Sequence, residues 1–425
     1  MKIEFSAPEY RVDGTFEPAQ MSFVGSPDAG WQVFRNGEIR LNLGTGYRAM
    51  RVRSCGVCST DLARRFLPFP LPQITGHEVL AEDEHGRRCV VEINASHAAR
   101  GVATPCPFCD GGLPSHCPDR LVLGIHDLPG GFGPWLLAPT NAILPLPDII
   151  PDAAAVLVEP LAAALHAVDR IVPRSGETVA VLGPRRLGML VVAALAARRQ
   201  ARNIDFQILA FARHKHLLEL AERFGADETR FVEGEGKDLR DGIADVVIDT
   251  TGSPAGFELA LRLAKRELHL KSTHGRPAGG VANLTEFVVD ELKLEREQTR
   301  DQAAFDPATP RPATILVSDA AEFARAVRPE SGSETAAIMP RGRILLRRDA
   351  EVGDSGLLRA VHERNLVLSS SRCGDFRAAL ELLETDAELR EIGARLITHR
   401  FPATDMNHVF GVAASPACIK AVVTH

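Results

Sequence analysis

The sequence predicts an α/β protein in which a β-rich segment precedes a doubly wound parallel sheet. Three observations carry that prediction. Residues 1 to about 155 are rich in Gly and Pro and hold only short apolar runs, such as Cys89-Val90-Val91-Glu92-Ile93, the texture of strands joined by long loops. The texture changes near Asp152: over 153–171, Leu157, Leu161, Leu165 and Val168 fall at helical spacing, with a break expected where Pro160 follows Glu159. From Glu177 onward, apolar strands alternate with helical runs, and strands this apolar belong to a sheet covered on both faces.

The alternation reads as follows. Thr178-Val179-Ala180-Val181-Leu182 is a strand, 187–199 a helix, 206–211 a second strand and 217–224 a helix. Asp245-Val246-Val247-Ile248-Asp249 is the next strand, 259–264 a helix and 267–271 a strand. Residues 295–364 break this rhythm with a charged run from Glu295 to Asp301, several prolines and two short apolar runs, 313–317 and 344–346. They read either as a small folded insertion or lid, or as a partly ordered surface excursion. A strand at 366–368 and a helix at 376–383 then resume the pattern.

The 425 residues suffice for two or three domains and a sizeable core. A hydrophobic content of 45% beside 24% charged residues is that of a soluble globular chain. A net charge of -6 gives no support for nucleic-acid binding through bulk charge. Met1-Lys2-Ile3-Glu4-Phe5-Ser6 begins no apolar signal core, and no long uncharged apolar run follows. The expectation is a cytoplasmic protein with a small-molecule substrate and neither membrane nor nucleic-acid partners. Its eight cysteines are then ligands or buried thiols rather than disulfides.

Chemistry concentrates between Cys55 and Glu78. Cys58, His77 and Glu78 offer a thiolate, an imidazole and a carboxylate, and three protein ligands on zinc leave a fourth position for water or substrate. The alternative is a buried cysteine near a core histidine.

Several motifs occur in one order: Gly56-Val57-Cys58-Ser59-Thr60-Asp61, Gly76-His77-Glu78, Cys106-x2-Cys109-x7-Cys117, Glu159-Pro160-Leu161, the turn at Gly183, Asp249-Thr250-Thr251-Gly252-Ser253 and Ser371-Arg372-Cys373-Gly374. In this order the chain resembles the zinc-containing medium-chain dehydrogenase/reductase family, particularly its polyol, glucose and threonine dehydrogenase branches. The resemblance covers most of the chain but leaves out 295–364. It implies a GroES-like catalytic domain at 1–155, completed by 391–425. It also implies a Rossmann nucleotide-binding domain at 156–390 with the insertion inside it, an active site in the cleft, and a homo-oligomer, dimer or tetramer.

The resemblance assigns Cys58 and His77 as ligands of a catalytic zinc, with Glu78 a ligand in some members and an outer partner in others. Glu159 matches a glutamate that approaches the metal directly or through water. Asp61 suits an acceptor that fixes the His77 ring, and Thr60 sits where the family has a relay hydroxyl. Local turn hydrogen bonding is the other reading of both. Ala63 departs from the family, many of whose members have a histidine there to finish the proton relay. Cys106, Cys109 and Cys117 match three of four structural-zinc cysteines, while Ala103 stands at the first position. Asn94-Ala95-Ser96-His97 resembles the segment leading into that first cysteine, so His97 is the favoured fourth ligand. His116, Cys89 or a metal-free site are the alternatives.

For the cofactor, Gly183-Pro184-Arg185-Arg186-Leu187-Gly188 keeps the first and third glycines of G-x-G-x-x-G, with Arg185 at the second. Where NAD-selective members carry an acid after the second strand, this chain has Ala212, then Arg213, His214 and Lys215, which favours the 2′-phosphate of NADP. Asp249 and Thr250 fall near the cofactor or serve the turn. The expected activity is zinc-dependent hydride transfer between NADP(H) and a polyol, sugar derivative or hydroxy-amino compound. The competing expectations are a non-catalytic nucleotide-binding or regulatory protein and a zinc-free reductase.

Overall fold

The computed structural model describes residues 1–272, 275–298, 312–328 and 337–425. It divides into two compact units, Met1–Pro160 with Asp375–His425, and Leu161–Gly374.

The first unit is β-rich. Lys2–Tyr10, Phe16–Ser26, Gly30–Arg35 and Glu38–Leu43 form an antiparallel meander. The larger sheet runs Ile143–Pro145, Arg88–Val91, Glu78–Glu82, Tyr47–Gly56, Lys420–Thr424, Ile397–Pro402, with Trp135–Pro139 also on Tyr47–Gly56. Apolar residues such as Val52, Leu80, Val90 and Val422 are fully or almost fully buried in it. Tyr47–Gly56 pairs antiparallel with Glu78–Glu82 through Gly56↔Glu78 and with Lys420–Thr424 through Gly56↔Val422. The end of the chain is thereby brought beside the Cys58 loop.

Among the described residues, the second unit is built on a nine-stranded sheet. Its first six strands run Glu228–Phe231, Gln207–Ala212, Thr178–Leu182, Ala244–Asp249, Ala264–Leu270, Val367–Ser370, all parallel. That is the doubly wound order in which the third, second and first strands precede the fourth, fifth and sixth. Val179, Val181, Ile208, Val246 and Ile248 are completely buried, as strands covered on both faces require.

Three findings differ from the sequence reading. The helical run breaks at 156–157, between Asp152–Ala155 and Val158–Ile171, and not at Pro160. Pro160 lies in the first turn of the second helix, where its missing N–H has no partner to lose. The strand Glu228–Phe231 went unrecognised because Glu-Thr-Arg-Phe is half-exposed at the sheet edge and has no apolar run. The described part of 295–364 is folded into the sheet. Lys293–Arg296 pairs antiparallel with Val367–Ser370, and Arg343–Glu351 and Thr314–Asp319 follow in parallel. Residues 299–311 and 329–336 of the expected insertion lie outside the described residues. No helix among the described residues is long and apolar enough to cross a membrane.

Candidate active site

The loop after Tyr47–Gly56 turns into a short helix, Ser59–Leu62, held by one buried carboxylate. Asp61 Oδ2 accepts the Cys58 N–H at 2.8 Å and Oδ1 accepts the Gly76 N–H at 3.2 Å. One side chain thus ties the segment before Asp61 to the segment before His77. The Asp61 Oδ1 is also 3.5 Å from His77 Nδ1, both groups being almost wholly buried. Gly76 has φ +94°, and a Cβ there would meet Cys55 Sγ at 2.8 Å, so Cys55 packs beneath the turn.

One ligand atom each from Cys58, His77 and Glu78 lies within 4.8 Å of the others. Burial pushes the His77 imidazole down, but the Asp61 carboxylate and Cys58 outweigh it and hold it well above its ordinary pKa. Thr60 Oγ1 is 3.6 Å from Cys58 Sγ. Glu159, half-buried in the first turn of Val158–Ile171, is not among the mutually close ligand atoms.

The sequence reading missed Lys420. Its Nζ forms an ion pair with Glu78 Oε2 and donates to Val57 O at 3.1 Å, and both side chains of the pair are buried. Gly56 makes the pairing possible, because a Cβ there would meet Glu78 Oε2 at 2.0 Å and Lys420 Cε at 3.0 Å. The only sequence signal is a lysine opening the apolar run Lys420-Ala421-Val422-Val423. The ammonium thus neutralises a carboxylate that also supplies one oxygen to the cluster.

A second cluster closes locally. Atoms of His97, Cys106, Cys109 and Cys117 lie within 4.8 Å of one another. Ser96 caps the short helix His97–Arg100 by accepting from Ala99 N–H, and His97 is its first residue. His97 Nδ1 is 3.5 Å from Cys117 Sγ, and its Nε2 faces Asp119 at 3.6 Å. Hydrogen bonds from the backbone at Cys109, then from His97, bring the Cys106 thiol down to about 7. His116 and Cys89 are outside the cluster: His116 Nδ1 contacts Ser115 Oγ at 3.2 Å and Cys89 Sγ faces Arg87 O at 3.5 Å.

In the second unit, the strand Thr178–Leu182 ends at Gly183, φ +83°, and the helix Arg186–Arg202 begins three residues on. Thr250 Oγ1 is 2.9 Å from both Leu182 O and Gly183 O, so its hydroxyl is engaged in holding the turn. A Cβ on Gly188 would meet Thr250 Oγ1 at 2.5 Å and Gly183 O at 2.7 Å, which is why helix and turn approach so closely there. Arg185 N–H donates to Gly183 O at 2.8 Å, and Leu187 lies in the helix's first turn. Burial pushes the Asp249 carboxyl up to about 6, against hydrogen bonds from Thr251. Arg213, His214 and Lys215, following the buried Ala212, are exposed.

Both donor sets suit zinc. One mixes S, N and O donors and supplies three ligands; the other has three thiols and an imidazole, enough to close a tetrahedron.

Residues 44–148 match the model of the alcohol dehydrogenase GroES-like domain. An L-galactonate-5-dehydrogenase of Escherichia coli K12 is 30% identical over 251 residues, covering 55% of this chain and 70% of the relative. An L-threonine 3-dehydrogenase of Chelativorans sp. BNC1 is 28% identical over 268 residues, covering 53% and 76%. The solved structure of a cobalt- and zinc-bound thermostable alcohol dehydrogenase of Pyrobaculum aerophilum superposes with a TM-score of 0.62 at 17% identity, over 100% of each chain. The chain therefore belongs to the zinc-containing medium-chain dehydrogenase/reductase family, and it is an oxidoreductase of the alcohol, polyol and threonine dehydrogenase type.

Proposed function

We propose that this enzyme moves a hydride between NADP(H) and a secondary hydroxyl or carbonyl group on a polyol, sugar derivative or hydroxy-amino compound. The observation that carries the reading is the three-donor set of half-buried Cys58 with buried His77 and Glu78, which would leave zinc an open position. Zinc bound there supplies Lewis acidity to a substrate oxygen. Asp61 fixes the Cys58 and His77 segments through their backbone, and Lys420 keeps Glu78 from repelling its neighbours. Thr60, whose hydroxyl is 3.6 Å from Cys58 Sγ, offers a group through which a substrate proton can pass, and Ala63 leaves the next step to water. Glu159 would approach a metal bound there directly or through water. His97, Cys106, Cys109 and Cys117 would hold a structural zinc.

The turn from Gly183 to Gly188 presents its backbone to the pyrophosphate, with Arg185 and Arg186 beside it. The missing acid at Ala212, followed by exposed Arg213 and Lys215, supports the 2′-phosphate of NADP over NAD. The substrate class is supported by the two relatives, which are named for a polyhydroxy acid and a hydroxy-amino acid.

Metal quantification with NADPH and NADH titration tests both halves. Cys58→Ser is expected to remove about one zinc per chain and abolish turnover, with cofactor binding retained. Arg213→Ala with Lys215→Ala is expected to weaken NADPH about tenfold and leave NADH unchanged. Wild-type protein that binds neither zinc nor NADPH would sink the proposal.

A further inference from the structure

Two neighbouring parallel strands in residues 161–374 carry an unbroken line of buried polar side chains. Glu267 and His269 in Ala264–Leu270, with Lys271 just after it, are two residues apart and share a face. Ser369 in Val367–Ser370, with Ser371 after it, repeats that spacing, and the register sets His269 beside Ser369. Each of the five residues is at most 6% exposed. Lys271 Nζ is 3.2 Å from Ser371 Oγ, and Ser371 Oγ is 2.8 Å from His269 Nε2. His269 Nδ1 is 2.8 Å from Ser369 Oγ, which is 2.5 Å from Glu267 Oε1.

Donor and acceptor chemistry gives the line a direction. An ammonium can only donate and a carboxylate can only accept. Ser371 therefore accepts from Lys271 and has its own proton free for His269 Nε2. The ring is then neutral, with its proton on Nδ1 donated to Ser369, whose hydroxyl donates to Glu267. All four hydrogen bonds are satisfied in one sense, with no two protons opposed. Burial, followed by Lys271, Arg170 and His166, holds the imidazole well below its ordinary pKa, with Glu291 acting the other way. Burial raises the Glu267 carboxyl, opposed by Ser369, Arg266 and Lys293.

We propose that Lys271, Ser371, His269, Ser369 and Glu267 form a proton wire from the C-terminal rim of this sheet to its opposite end. In one passage a Lys271 N–H bond breaks as a Ser371 O–H bond forms, and the original Ser371 proton moves to His269 Nε2. The Nδ1 proton moves to Ser369, and the original Ser369 proton moves to Glu267 Oε1. Ammonium and carboxylate become amine and carboxylic acid, and no electrons change hands. The amine can then take up another proton at the rim, and the imidazole and the two hydroxyls must turn back to their starting hydrogen-bond sense before a second passage. At the far end Glu267, itself 6% exposed, gives the proton to solvent water, and Arg266, 2.9 Å away and able only to donate, favours the return of the acid to carboxylate.

The rim end is the end that matters for the reaction. Lys271 N–H donates to Asp249 O at 3.0 Å, and the next residue, Thr250, holds the glycine turn. Ligands of open parallel sheets bind along this rim. The Lys271 end of the wire thus opens on the edge of this unit where a nucleotide would bind, and a proton delivered to that edge can enter it. To that extent it rests on the oxidoreductase reading.

Two measurements on the full-length protein test the wire. Nitrogen-15 NMR of histidine-labelled enzyme needs no turnover. It is expected to show His269 neutral with its proton on Nδ1 between about pH 6 and 8, and to lose that preference in Lys271→Met. An imidazolium or an Nε2–H tautomer in the wild type overturns the wire. With NADP(H) loaded, Ser371→Ala is expected to lower kcat about a hundredfold and change the solvent deuterium isotope effect, at unchanged cofactor affinity. Ser371→Thr, which keeps a hydroxyl, is expected to restore most of the rate. Wild-type kcat and isotope effect in the Ala variant, or equal losses in the two variants, assign the line a packing role and overturn the proposal. A wild type that turns over no cofactor refutes the oxidoreductase reading instead, and the NMR result then decides the wire.

Discussion

The two ligand clusters in the first unit are assembled from different distances. His97, Cys106, Cys109 and Cys117 fall within one short stretch, where Cys117 Sγ meets both His97 Nδ1 and Cys106 Sγ. Cys58, His77 and Glu78 hang from the ends of two sheet strands, clamped by Asp61 and balanced by a lysine 342 residues away. The local cluster offers four donors and no open position; the dispersed one offers three donors and a buried ion pair. Closure by short loops suits a metal that holds shape, whereas an open position needs rigid strands and an outside charge to keep it from collapsing.

The sharpest way to break this comparison is to remove a closing ligand. Cys117→Ser is expected to lose about one zinc per chain and, with it, folding energy on the order of 10 kcal/mol for the 94–122 segment. Metal analysis with hydrogen exchange over that segment checks it, and unchanged protection would make the closed cluster incidental. Next comes Lys420→Met, which leaves Glu78 buried and unpaired. It should cost about 3–5 kcal/mol by denaturant unfolding, and Glu78→Gln in the same chain should recover part of it. Retained stability in the single variant would mean that the ion pair does not support the open site.

Glu92 lies on the chain between the two clusters and gives the next effect. Burial first, then Asp375, pushes its carboxyl from 4.5 up to about 7, against Arg377 and Asn94. The unfolded chain releases this proton earlier, so the stability it contributes is full below about pH 4.5 and is lost as pH rises through about 7. Glu92→Gln removes that decline and should be more stable than wild type at pH 8 by on the order of 3 kcal/mol. Thermal melts across pH check it; parallel curves would contradict it. The smallest effect belongs to Asp119→Ala. Asp119 faces His97 from an exposed position, and its loss should weaken zinc at the closed cluster about tenfold in a chelator competition, leaving the open cluster unaffected.

What could be read from the sequence follows the same division by distance. The closed cluster was legible because all its donors sit on neighbouring loops, and Asn94-Ala95-Ser96-His97 pointed to its imidazole. Cys58, His77 and Glu78 were legible as motifs, and Asp61 as their neighbour. Lys420 was not, because nothing in a lone lysine before Ala421-Val422-Val423 says which strand it will pair beside. The parallel sheet was legible wherever both faces are apolar, as in Thr178–Leu182, and illegible at Glu228–Phe231, where one edge meets water. Glu267-x-His269-x-Lys271 carried a signal that went unused: polar residues at a two-residue spacing inside a strand that a doubly covered sheet should make apolar.

The strand Lys420–Thr424 also sets a timetable. Lys420 is the 342nd residue the ribosome adds after Glu78, which at ordinary elongation rates is roughly 20 to 70 seconds later. Through that interval the carboxylate lacks its counter-charge and Tyr47–Gly56 lacks one sheet neighbour. The Cys117 loop, its partners all upstream, has no such delay. During synthesis the four-donor cluster can load an ion early, while the three-donor one is left without its ion-pair partner until Lys420 is made.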